Sequence, residues 1–153
     1  MIQLADEVFA SRSDPNQLDV NPDVLDHLRQ IHPATVSQYD DGHGPVAWIL
    51  LLPTTLELMN RFIKNEISEK ELYELTPLRI TYEALYLCSA MVLEEYRRKG
   101  IAKKLTLDAI KAIRLAHPIK ALFVWTFSKE GLIGSEALAQ ILSLPLYKRI
   151  GLT

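Results

Sequence analysis

Lysine and arginine number 17 against 19 aspartates and glutamates in 153 residues, a formal net charge of −2, so any affinity for polyanions or phosphate has to be local. Hydrophobic residues make up 48% and charged residues 24%, the balance of a single soluble domain, 1–153, able to bury a sizeable core without staples. The lone Cys88 excludes an intrachain disulfide, and the longest apolar run, PVAWILLLP at 45–53, is far short of a membrane span.

The N-terminal MIQLADEVFASR carries Asp6 and Glu7 and lacks an apolar core of signal-peptide length, so a reducing, cytoplasmic compartment is expected. Residues 3–11 suit a short helix, followed by a turn-rich SRSDPNQ. Asn21-Pro22 then supplies an N-cap and a proline at the first helical position, and DVLDHLRQI continues the helix until just before Pro33. TVSQY, DDGHG and PVAWILLL read as strand, glycine-bearing hairpin and strand. Thr54 with Glu57 predicts a capping box opening LELMNRFIKN, and Ser68 with Glu71 predicts another opening KELYEL.

After Pro77, ITYEALYLCSAMV reads as a strand buried on both faces. From Gly100 to His117, Ile101, Leu105, Ala109, Ile113 and Ala116 recur at spacings of three and four, which predicts a helix with one buried face, stopped by Pro118. ALFVWTF at 121–127 is a second buried strand, a helix reopens at Ser135, and a short YKRIG follows. Residues 80–127 therefore form a βαβ unit with parallel strands.

The stretch YRRKGIAKKL joins the first strand of that unit to its helix and places five cations between 97 and 104 around Gly100. A helix start leaves backbone N–H groups unpaired and carries partial positive charge, which makes it an anion site. Gly100, without a Cβ, lets a phosphate approach the backbone, and Ala102 keeps the next position small. The flanking cations add charge-assisted hydrogen bonds, so the stretch reads as a diphosphate cradle. Lys103 and Lys104 also suit a solvated first turn, although cations there oppose the helix dipole. Neither a GxxxxGK[ST] loop nor a GxGxxG fingerprint is present.

What remains, Arg-x-x-Gly-x-Ala at 97–102 within VLEEYRRKGIAKKL, resembles the Arg/Gln-x-x-Gly-x-Gly/Ala signature of the GCN5-related N-acetyltransferase (GNAT) superfamily. The resemblance implies an α/β (α+β) fold, a mixed central sheet flanked by helices, covering roughly 34–52 and 80–152. It also implies that the strand before the loop splays from the next parallel strand to admit pantetheine. Acetyl-CoA, or another acyl-CoA, is then the expected co-substrate, without a metal. Its pyrophosphate would lie on Arg97, Arg98, Lys99, Gly100, Ile101, Ala102 and Lys103, and its pantetheine on the backbone of Met91 and Val92. Tyr147-Lys148-Arg149-Ile150-Gly151-Leu152 is similar to the family's Tyr-x-x-Gly-Phe segment, with one extra residue and Leu for Phe. Against the family pattern, the first strand and the last two strands are expected to be missing, and an extra helical pair occupies 54–76.

On that resemblance Tyr147 is the candidate acid for the leaving thiolate, or else a packed tyrosine near the C-terminus. Glu83 is the only carboxylate on the strand before the loop, a candidate base or else a strand-start surface residue, with ordered water as the alternative. Cys88 has no histidine placed nearby in sequence to activate it and reads as a core cysteine. His32 and His117 precede prolines and read as helix-end residues, His43 lies in the hairpin, and Trp48 and Trp125 read as core. The expected partner is a small-molecule or peptide amine. A non-catalytic CoA-binding module is the alternative. Nucleic acid is disfavoured by the net charge and the absence of aromatic interleaving. A sheet edge left open by missing strands would be covered by a second copy, giving a homodimer.

Overall fold

A computed structural model describes residues 21–96, 99–125 and 129–150, the last range without the side chains of 129–131. The expected helix at 3–11 and the turn after it, together with Arg97, Arg98, Gly151 and Leu152, lie outside the described residues. Helix α1, Pro22–Ile31, starts as its cap predicts: the Asn21 side chain accepts from Val24 N–H and Pro22 needs no partner. A short turn, Pro33–Thr35, leads into the hairpin of β1, Val36–Asp40, and β2, Pro45–Thr54. Gly42 and Gly44 take the positive φ values, 101° and 130°, that this turn requires. All of β2 is buried, which explains its unbroken apolar run.

Helices α2, Leu56–Ile63, and α3, Glu69–Leu75, form the predicted pair. Ser68 and Glu71 make the expected reciprocal capping box. For α2 the cap is Thr55, not Thr54: its side chain accepts from Leu58 N–H, and Thr54 stays in β2, buried and hydrogen-bonded to Thr76 at 2.7 Å. The spacing of Thr54 to Glu57 fits a capping box and that of Thr55 to Leu58 does not, yet strand pairing keeps Thr54 in β2 and leaves the cap to Thr55.

Strand β3 runs Ala84–Val92, shorter than the expected 80–92. It is fully buried only from Ala84 to Tyr86. Helix α4, Ile101–Ala116, matches its predicted span and packs across β1, β2 and β3. Strand β4, Ala121–Trp125, is buried throughout. Helix α5, Lys129–Leu142, begins before the expected Ser135, because packing against α4, β4 and β5 offsets the low helix propensity of Gly131 and Gly134. The tyrosine segment itself becomes a strand, β5, Leu146–Arg149.

The five strands lie in sequence order, β1-β2-β3-β4-β5. β1–β2 and β2–β3 are antiparallel, while β3–β4 and β4–β5 are parallel, so the βαβ expectation holds. The core is aromatic where α2 meets the sheet: Phe62 makes edge contacts with Tyr86, Phe123 and Trp125, and Tyr86 stacks on Phe123 at 5.0 Å.

Candidate functional site

Strands β3 and β4 pair only at Ala84↔Ala121, Leu85↔Leu122 and Tyr86↔Phe123. Beyond that row β3 continues to Val92, paired with β2 through Trp48↔Met91 and Ala47↔Val92. Parallel strands that stop pairing while one is still held from its other side form a wedge. A register shift between Leu50 and Leu51 makes Cys88 the extra residue of a bulge at the apex, where bulges bend and twist a strand away from its neighbour. Burial falls accordingly, with Leu87, Cys88, Ser89, Met91 and Val92 half-buried and Ala90 exposed.

The chain leaves the wedge through Leu93 and the turn Glu94–Tyr96 and enters α4 at Gly100. Gly100 sits at φ 73° as the N-cap and provides no side-chain cap. Among the described residues a Cβ built on it would meet no atom within 4 Å, while its backbone conformation demands glycine. The first closed turn is Lys104 N–H to Gly100 C=O at 3.0 Å, which leaves the N–H groups of Ile101, Ala102 and Lys103 without helical partners. Lys103 is exposed. Lys99 lies 5.2 Å over the Tyr96 ring, and Lys104 pairs with Asp108 at 3.0 Å, the solvated-face alternative for that lysine.

Met91, Val92, Lys99, Gly100, Ile101, Ala102 and Lys103 thus share the β3–α4 junction. Tyr147 is two strands away. It is in register with Phe123 and hence in the row Tyr86–Phe123–Tyr147 where the strands part, and it is 45% exposed. Glu83 is not brought to the wedge. It precedes β3 at the opposite end, ion-paired with Lys120 at 2.5 Å, with further backbone bonds to Thr54 and Lys120.

A buried polar group that the sequence did not single out lies at the same row. Glu69, 1% exposed, accepts from the Tyr86 hydroxyl at 2.6 Å and from the Cys88 thiol at 3.9 Å. Arg149 lies nearby on β5, donating to Asn65 Oδ1 at 2.8 Å and to the Ile67 carbonyl at 2.7 Å. Its guanidinium packs 4.5 Å over Phe62 and 4.7 Å over Trp125. Burial pulls the Arg149 pKa down, opposed by the nearby Tyr86 and Glu69. The capping box placed Glu69 at the first helical position, but nothing local showed that this residue would turn inward. Among the described residues no cluster of three His, Cys, Asp or Glu side chains forms a metal site.

No family model and no curated protein matches the chain. Among solved structures, Naa20 of Chaetomium thermophilum, crystallised with a bisubstrate analogue, has 15% sequence identity and a TM-score of 0.52. That match covers 87% of this chain and 64% of Naa20, so the chain spans somewhat under two thirds of that protein. The aminoglycoside antibiotic 6'-N-acetyltransferase AAC(6')-IG of Acinetobacter haemolyticus, an apo structure, also has 15% identity, over 84% of this chain and 79% of its own, with a TM-score of 0.43. The likeness to Naa20 shows a shared fold.

Proposed function

On the premise of that GNAT-like fold, we propose that the protein is an acyl-CoA-dependent N-acyltransferase that moves an acetyl group directly from acetyl-CoA to an amine on a small molecule or peptide. One observation carries the proposal: β3 parts from β4 after Tyr86 and leads through a short turn to a glycine-capped helix start, where among the described residues no atom lies within 4 Å of a Cβ built on Gly100. A strand edge and a helix N-terminus in sequence suit a ligand that is amide-bearing at one end and diphosphate at the other.

In the proposed transfer the coenzyme's diphosphate lies on the N–H groups of Ile101, Ala102 and Lys103, with Arg97, Arg98 and Lys99 as cations and Gly100 giving clearance. Pantetheine lies along Met91 and Val92, where a backbone N–H polarises the thioester carbonyl. The neutral amine attacks the carbonyl carbon and the C–S bond breaks. The departing thiolate takes a proton from the Tyr147 hydroxyl, and the nitrogen loses its extra proton to water. Glu83 stays in its ion pair with Lys120. A second copy would cover an edge of the sheet at β1 or β5.

The test is thiol release from acetyl-CoA against a panel of peptide amines, polyamines and aminosugars. Tyr147→Phe is expected to lower turnover about a hundredfold while leaving acetyl-CoA affinity unchanged. Equal turnover removes Tyr147 from the mechanism. Coenzyme binding without release for any amine would leave a CoA-binding module in place of an enzyme.

A further inference from the structure

Among the described residues, the turn that leads to the cradle is lightly anchored. Glu94, Glu95, Lys99 and Gly100 are exposed, and no residue of the Glu94–Tyr96 turn is buried. Its long-range anchors among the described residues come from the β1–β2 hairpin. Leu93 N–H donates to the Val46 carbonyl at 2.9 Å, and the Tyr96 hydroxyl donates to Asp41 Oδ2, a contact spanning 55 residues of sequence.

The hairpin end of that contact is itself preorganised. Asp40 Oδ1 accepts from Gly42 N–H at 2.7 Å and from Gly44 N–H at 3.1 Å. Asp41 Oδ1 accepts from His43 N–H at 2.9 Å, which leaves Oδ2 turned to Tyr96. On the loop side, Tyr96 N–H donates to the Leu93 carbonyl at 2.9 Å, and the Tyr96 ring carries Lys99 at 5.2 Å. Lys99 immediately precedes Gly100, so a rigid turn, one charge-assisted hydrogen bond and one cation–π contact lead in series to the helix cap.

We infer that the β1–β2 hairpin turn is a positioning element for the coenzyme cradle, acting through the hydrogen bond from Tyr96 to Asp41. This inference rests on the coenzyme reading above. A carboxylate beside a diphosphate site would ordinarily repel the ligand. Here the phenol occupies one oxygen and the turn amide the other, so Asp41 orders the loop at a reduced electrostatic cost. Ordering the loop before the ligand arrives removes part of the entropy that binding would otherwise lose.

Acetyl-CoA titration by calorimetry, paired with thermal melts, tests this in four proteins. Tyr96→Phe keeps the ring under Lys99 and removes only the hydroxyl, and is expected to weaken binding about tenfold. Asp41→Asn keeps an oxygen acceptor and should stay within threefold of wild type. Tyr82→Phe removes a hydroxyl of the same kind, which donates to the Pro77 carbonyl at 2.6 Å, and should lower the melting temperature without changing acetyl-CoA affinity. Tyr96→Phe binding within twofold of wild type, or weakening by Tyr82→Phe to the same degree, overturns the positioning role while leaving the coenzyme site standing. Failure of the wild type to bind acetyl-CoA overturns both.

Discussion

Gly100 concentrates the functional claim in one backbone angle. At φ 73° a side chain costs about 1–2 kcal/mol, and among the described residues no atom lies where its Cβ would go. Gly100→Ala should therefore lower stability by about 1 kcal/mol and lower acetyl-CoA affinity by more than that strain alone. Melts and titrations of the same samples separate the two, and an affinity loss no larger than the stability loss would contradict a ligand at this position. The glycine-capped helix start was legible in the sequence because its residues encode it locally. Glu69 was not, because its burial against Tyr86 depends on how α3 lies on β3. Likewise, the link from Tyr96 to Asp41 joins residues that no local pattern relates.

The elements show the same division. Periodicity and caps predicted α1, α3, α4 and the hairpin, since each is specified by residues within one or two turns of chain. The misplaced start of α2 offers a test. Thr55→Ala removes the acceptor for Leu58 N–H and should cost about 1 kcal/mol. Thr54→Val leaves that cap intact but removes a hydroxyl that meets Thr76 at 2.7 Å in the core, and should cost at least as much. Urea unfolding of the two variants checks this, and a silent Thr55→Ala would return the cap to Thr54. The early start of α5 and the existence of β5 could not be read locally. Two glycines lower the apparent propensity of the first, and the second is only four residues long and depends on β4 for its pairing.

At the scale of the whole molecule, a histidine pair joins the end of α1 to the end of α4. His32 and His117 lie 6.4 Å apart, and His32 Nδ1 accepts from Ala34 N–H at 3.0 Å. Burial first, and His117 second, hold the His32 pKa below its ordinary value of 6.5. The unfolded chain then binds this proton more readily than the folded one. The stability it confers is complete above pH 6.5 and is lost as pH falls through the lower folded value. Melting temperature should fall on acidification below that point, and His32→Asn, which keeps an acceptor, should flatten the slope; an unchanged slope would dissociate it from this histidine. The mixed sheet and its parallel βαβ unit followed from the order of strands, whereas the pairing of β5 with β4 and the inward turn of α3 that buries Glu69 depend on contacts between distant segments. The central claim is that the β3–α4 junction holds an acyl coenzyme. Its most direct test is calorimetric titration of the wild type and Gly100→Glu with acetyl-CoA. Saturable one-to-one binding is expected for the wild type, and the glutamate should abolish it by filling the cradle with bulk and negative charge. No heat of binding in the wild type, or equal binding by both proteins, would contradict it.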